Sequence, residues 1–252
     1  MSPLNKITIM KKKLFLLVVC GSINIITAQT IFNGEVIYKT SHSNAIINKL
    51  KEVIKNKKMD NNTISFTEKM YRDTSIESKL VFNTLESSFV IEDFLEISED
   101  VSKKMIRAGA GNKNLYYYNM LTKKMNEQDC KLLEDCFVLE HPTIEWEISQ
   151  ETKIIGSYKC YRATHKVTSK NNEQIIIAWF SPQIPFSFGP KNYSGLPGLI
   201  LELDDGKIIF KAKNILLNKK EKIKVKKPKG KQITKEEFDA RLRKAYPDFF
   251  KD

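Results

Sequence analysis

Apolar residues recur mostly at every second position along this chain, the period of a strand with one buried face. Residues 34–40, Gly-Glu-Val-Ile-Tyr-Lys-Thr, read as a first strand. Residues 63–71 read as another, with Ile64 and Phe66 set against polar neighbours before the alternation slips. Residues 79–83, 88–91 and the aromatic stretch 114–118 also read as strands, and residues 144–148 alternate cleanly. Residues 199–203, the turn Asp204-Asp205-Gly206 and residues 207–212 predict a hairpin, because Asp-Gly favours the positive φ that tight hairpin turns need. The run Ile175-Ile176-Ile177-Ala178-Trp179-Phe180 does not alternate. It predicts a strand covered on both faces, either in an ordinary core or in the wall of an apolar interior.

Helical spacing is confined to two stretches. Residues 44–58 place Ile46, Ile47, Leu50, Val53 and Ile54 on one face. Near the end, Thr234 with Glu237 forms a capping box, Phe238, Leu242 and Ala245 line one face, and Tyr246-Pro247 stops the helix. Many short strands and few helices predict a mainly β (α+β) fold. The expected form is a curved antiparallel sheet or half-barrel with one or two helices packed on it.

The N-terminus departs from this pattern. Lys11-Lys12-Lys13, the apolar run 14–20 and Ala28-Gln29 have the order of a secretory signal peptide, with Met10 as its initiator and cleavage after Ala28. A membrane anchor would need about 20 apolar residues, and Gly21, Ser22 and Asn24 interrupt the run early. Lipidation of Cys20 is disfavoured by Val19 before it. The expected organisation is a signal peptide at 1–28 and one β-rich domain at 29–252, exported to the periplasm or beyond.

Export changes the meaning of the cysteines. Cys130, Cys136 and Cys160 remain after cleavage, and an oxidising compartment permits one disulfide. Cys130 and Cys136 are the nearest pair and would close a small loop; a partner for Cys160 stays open, and its bland role is that of a small buried hydrophobe. Their spacing is not that of a metal knuckle and no histidine lies beside the pair, so no metal or other cofactor is expected.

Charge also takes its meaning from location. The chain carries a formal charge of +12, and residues 219–231 hold eight lysines and one acid, Glu221. For an exported protein the partner of such a run is an anionic envelope surface, not nucleic acid. The competing explanation is local: residues 222–226 alternate Lys with Ile and Val as an edge strand would, and lysine keeps such edges from aggregating.

One segment is dense in turn chemistry. Between Phe180 and the strand at 199 lie Gly189-Pro190 and Gly195-Leu196-Pro197-Gly198-Leu199-Ile200. Pro197 presets φ and Gly198 supplies a positive one, which predicts a type II turn, while Gly195 permits close backbone approach. Leu196, Leu199 and Ile200 would pack, and Phe186, Phe188 and Tyr193 form a candidate exposed contact rim. The string, with residues 154–163, Ala178-Trp179-Phe180, Ile184-Pro185 and Gly189-Pro190, resembles the GLPGLI family of exported Bacteroidetes proteins, and departs from it over 166–174. The resemblance implies an envelope location and no assigned activity. Members often accompany outer-membrane TonB-dependent receptors, which implies such a receptor as a partner by association.

Catalytic signatures are lacking. There is no nucleophile elbow, phosphate loop or dinucleotide fingerprint, and His42, His141 and His165 are scattered. Cys160 and His165, five apart on one strand, point to opposite faces. Glu145 and Glu147 flank Trp146 and read as a solvated strand face. The expectation is therefore a non-enzymatic binding or assembly factor for an apolar ligand or an outer-membrane partner. The alternative is a hydrolase acting on envelope or imported material. Oligomeric state is not encoded in these patterns.

Overall fold

The structure, a computed structural model, describes residues 33–92, 100–133, 135–169, 172–220 and 223–250. The expected signal peptide lies outside them. The chain runs β1 (Asn33–His42), α1 (Asn44–Asn56), α2 (Asn61–Asp73), β2 (Ser75–Asn83), β3 (Glu86–Ile91) and α3 (Val101–Gly109). It continues through β4 (Leu115–Asn119), β5 (Lys124–Asp129), β6 (Phe137–His141), β7 (Glu147–Ile155), β8 (Tyr158–Ser169) and β9 (Asn172–Ser181). β10 (Leu199–Asp204), β11 (Ile208–Leu217), β12 (Lys231–Ile233), α4 (Lys235–Ala245) and a 3-10 turn at Pro247–Phe250 complete it.

The twelve strands among the described residues join one sheet in the order β12-β6-β5-β4-β3-β2-β1-β11-β10-β9-β8-β7, open at both ends. The protein is thus mainly β with helices. The ladders are antiparallel except that β12 runs parallel to β6, which makes the sheet mixed. Parity sorts the residues: Val36, Tyr38, Leu80, Phe82, Phe89, Tyr116, Ala178, Phe180 and Phe210 are all buried. In β1 and β2 they alternate with more exposed neighbours, and the ladders set Leu80 opposite Val36 and Phe89, Phe89 opposite Tyr116, and Leu203 opposite both Phe210 and Ala178, so they share one face. Phe89 on β3 and Phe210 on β11 meet at 5.8 Å between ring centroids, although two strands separate theirs in the sheet.

The helices differ from expectation in number. Four α-helices stand among the described residues where one or two were expected. Residues 63–71 belong to helix α2, not to a strand. Asp60 caps it through the Thr63 amide (3.0 Å) and hydroxyl (2.5 Å), and Glu68 binds Arg72 one turn on and Lys51 of α1. The two-residue period of Ile64 and Phe66 misled because Phe66 faces solvent, 71% exposed, while Tyr71 is the residue that packs. Helix α3 is capped by Asp100 and buries Ile106.

Three further expectations change. Within the run 175–180 only Ile176, Ala178 and Phe180 are buried, whereas Ile175 is 49% exposed, so the apolar run is fully covered on one face. The strand expected at 144–148 begins at Glu147, which leaves Glu145 outside it. Finally, residues 223–229 form no strand. They run as a strap over the sheet face opposite the core: the Lys226 amide donates to Ser88 Oγ on β3 (3.1 Å) and the Lys229 amide to Gln128 Oε1 on β5 (2.7 Å). The Lys/apolar alternation is real, but it turns Ile223 and Val225 toward the sheet and lysines outward without any ladder.

Candidate functional site

The turn-rich segment between β9 and β10 lies on the core face. Ile184, Phe186, Phe188 and Leu196 are buried there, and Phe188 meets Phe82, Tyr118 and Phe186 within 6.0 Å. Its backbone closes on itself: Gly195 N–H donates to Ser187 O, Leu199 N–H to Ile184 O and Ile200 N–H to Phe188 O, each at 3.0 Å. The Tyr38 hydroxyl donates to Ile200 O (2.6 Å) and the Trp146 indole to Ser194 O (2.9 Å). Phe186 and Phe188 therefore form no exposed rim. Aromatic area of this size is worth more against Phe82 and Tyr118 than in water.

The two glycines exchange the roles expected of them. No type II turn forms at Pro197-Gly198. Gly198 N–H donates to Leu196 O (2.8 Å), a three-residue turn about Pro197. Gly198 is nearly extended, and a Cβ there would stand 2.3 Å from Ser181 O. Close approach is thus the reason for Gly198. Gly195 has φ +94° with open space around it, so conformation is the reason there. At Gly189 a Cβ would stand 2.5 Å from Tyr193 O, and Tyr193 N–H returns to Pro190 O (3.2 Å) to close the expected second turn. Leu199 and Ile200 are fully buried.

That second turn delivers Lys191, Asn192 and Tyr193 to the rim of a 690 Å³ cleft. The opposite wall comes from the core-side faces of β4, β5 and β6. Register sets Tyr116 beside Glu127, and Met125 beside His141. Glu127 accepts from His141 Nε2 (2.6 Å) on one oxygen, and from Asn114 Nδ2 (2.7 Å) and the Tyr116 hydroxyl (2.8 Å) on the other. Asn114 Nδ2 also donates to Asp129 Oδ2 (3.0 Å). Asp129 in turn caps the Lys131 and Leu132 amides. The cleft lies between the main core and a small second core of Phe137, Leu139, Ile233 and Phe238.

Burial pushes the Glu127 carboxyl up in pKa, but the hydrogen bonds from His141, Asn114 and Tyr116 and the His141 charge outweigh it. The net shift is downward and Glu127 stays ionised. Burial, and then the charge of Asp205, raise the Tyr193 hydroxyl, which stays protonated and able to donate. Lys191 Nζ donates to Gly109 O (3.0 Å) and stands 3.7 Å from Asp205 Oδ2. The cleft therefore combines a fixed anion, a histidine it orients, neutral donors and the aromatic rings of Tyr116, Tyr193 and Phe238.

Sequence reading placed none of Asn114, Tyr116, Glu127, Asp129 and His141 in a site. The available signal was polar residues at buried parity in β5, a strand that reading passed over. The structure bonds Cys130 to Cys136, with an S–S distance of 2.06 Å, in the loop that Asp129 caps. Cys160 is a free, buried thiol whose pKa burial pushes up to about 11, and it lies in β8 away from this cleft. His165 Nδ1 instead meets Glu145 O (2.9 Å). Among the described residues no three His, Cys, Asp or Glu converge as a metal site, and no helix is long and apolar enough to cross a membrane.

One sheet with a packed loop and a polar cleft defines a class by architecture only. Residues 165–202, which contain the 189–193 turn and the 195–200 string, match a family model described as "Protein of unknown function (Porph_ging)". No curated protein matches the chain. Among solved structures it is similar to PNGF-II in a C2 crystal form (12% identity, TM-score 0.54) and in a P21 form (15% identity, TM-score 0.51). Each likeness covers 85% of this chain and about a third of PNGF-II (33% and 34%). At this identity the likeness concerns the fold.

Proposed function

We propose that the protein is an exported, non-enzymatic binding factor of the cell envelope, and that its ligand site is the cleft between the 189–193 turn and the Glu127–His141 pair. The observation that carries this reading is that the stretch matching the family model supplies one rim of the cleft, Lys191, Asn192 and Tyr193. A sheet that curls toward its core face, as the Phe89–Phe210 contact suggests, would leave an interior for an apolar ligand. That interior is occupied by Phe82, Phe89, Phe180, Phe188 and Phe210. The proposed ligand is accordingly polar, with an outer-membrane protein as the wider partner.

Binding is favoured over turnover by the state of Glu127. A general acid or base works best with a pKa near the working pH, whereas this carboxylate is held below its ordinary range by three donors. The hydrolase reading keeps one observation, the 2.6 Å contact between His141 and Glu127, which resembles a carboxylate-oriented base. Native mass spectrometry of protein purified gently from a periplasm separates the two. A small polar molecule retained by the wild type and lost in Tyr193→Ala and Asn192→Ala supports the binding factor. Hydrolysis of an ester, amide or glycoside panel that His141→Ala abolishes would replace it with the hydrolase.

A further inference from the structure

The strap 223–229 goes beyond the cleft reading and stands on the other face of the sheet. Its basic character no longer has the explanation an edge strand would give, because it pairs with no strand and lies across β3, β4 and β5. Its lysines divide into two sets. Lys227 binds Glu86 (2.6 Å) and hangs over the Tyr117 ring, Lys219 binds Glu35 (3.1 Å) and Lys231 binds Asp135 (2.5 Å). Those three fasten the strap and its ends. Lys224, Lys226 and Lys229 are exposed and make no ion pair among the described residues. No acid occurs from Ile223 to Lys231.

Further lysines stand beyond the strap. Lys39 of β1 and Lys211 of β11 are exposed on the same outer face and stand directly opposite each other in the ladder. Each also has an acid opposite on its other flanking strand, Glu77 of β2 for Lys39 and Glu202 of β10 for Lys211, so that row balances its own charge and the lysines left over for an external anion are those of the strap. The geometry also says what kind of anion fits. In extended chain Lys224 and Lys226 stand ~6.6 Å apart with Lys229 roughly 10 Å further on. They form a row on a broad face and do not line the cleft. A single small anion needs convergent donors; a planar array of anionic headgroups needs a row.

We infer that the strap face is a docking surface for an anionic lipid membrane, which leaves the cleft, on the opposite face, open to solvent. The contact is electrostatic and peripheral: the outward side chains are lysines, with no apolar residue among them to insert. Vesicle co-sedimentation tests this. The purified chain is expected to bind phosphatidylcholine vesicles containing one-third phosphatidylglycerol, to ignore pure phosphatidylcholine, and to be released by high salt. Replacing Lys224, Lys226 and Lys229 together by Gln should lower the partition coefficient about 100-fold, from ~1 kcal/mol per lysine near an anionic surface. Replacing the three by Arg should preserve binding, and an equal triple change on α1 (Lys49→Gln, Lys51→Gln, Lys55→Gln) should leave it within a few-fold. Equal binding to both vesicle types, or full binding by the Gln variant, overturns the proposal. Binding to soluble polyphosphate without binding to anionic vesicles would overturn the membrane and assign the face to a free polyanion. The cleft reading is independent of every one of these outcomes.

Discussion

Two irregular segments cross this sheet on opposite faces, and they are built by opposite means. The 182–198 loop closes through backbone-to-backbone hydrogen bonds and buries Ile184, Phe186, Phe188 and Leu196. The 223–229 strap gives its amides to side chains, Ser88 and Gln128, and buries no residue fully. An unpaired backbone donor is costly wherever water is excluded, so the buried loop must satisfy itself. The strap stays wet and needs only occasional acceptors. Irregular chain that completes a core is therefore rigid and intolerant. Irregular chain that lies on a surface can vary in sequence while keeping its path.

The largest expected effects test this asymmetry directly. Phe188→Ala removes a ring that touches Phe82, Tyr118 and Phe186, and should cost ~4 kcal/mol. Leu196→Ala should cost ~3 kcal/mol, while the half-buried Val225→Ala in the strap should cost ~1 kcal/mol or less. Urea midpoints at constant slope measure all three. A strap variant as costly as Phe188→Ala would erase the distinction. If Leu196→Ala kept full stability yet lost a partner, the loop would be a contact site instead.

Next in size are the glycines of the loop. Gly198→Ala forces a methyl against the Ser181 carbonyl, backbone that cannot yield cheaply, and should cost ~3 kcal/mol. Gly195→Ala meets open space and suffers only its φ of +94°, about 1 kcal/mol. The reverse ranking, read by the same midpoints, would restore the turn chemistry the sequence suggested and remove the close-packing account.

Why that chemistry was read the wrong way round shows what a sequence exposes here. Local signals were legible: the Thr234–Glu237 capping box, the Asp204-Asp205-Gly206 hairpin and the helical face of residues 44–58 all correspond to elements. Each depends on residues a few positions apart. Gly198 is fixed by Ser181, seventeen residues back, and no local pattern carries that distance. Helix α2 failed for a related reason, since Phe66 mimics a strand position while facing solvent. The cleft was hidden most deeply. Glu127 and His141 meet only because β5 and β6 pair in one register, and a shift by one residue would turn them to opposite faces. The lysine run was visible, but whether it edged a sheet or crossed one is a question of topology.

Adjacent residues of β5 face the two regions, which allows a finer comparison. Glu127 points to the loop side and Gln128 to the strap. Glu127 has a pKa below its ordinary value in the folded state, so its contribution is fully present above that ordinary value, ~4.3. The contribution is lost as pH falls through the folded value. Urea midpoints for the wild type should therefore fall more steeply between roughly pH 6 and pH 3.5 than those of Glu127→Gln. Gln128→Ala removes an uncharged acceptor, and its deficit should be the same at both pH values. Parallel curves for the wild type and Glu127→Gln would mean that the carboxylate is not held ionised by its three donors.

The smallest expected effect on stability is the most discriminating for the strap. Replacing Lys224, Lys226 and Lys229 by Gln removes exposed charges that make no ion pair among the described residues. Exposed substitutions of this kind fall within about 0.5 kcal/mol of neutral. Relief of repulsion in a chain of formal charge +12 should place the variant on the stable side of that window, more so at low salt than at high. Lys227→Gln is the control inside the same strap, because it leaves Glu86 short of a partner that Tyr117 alone does not replace. If the triple variant is the more stable protein and Lys227→Gln the less stable, the outward lysines are retained against a folding cost. Such a cost is what selection for an anionic partner would leave behind.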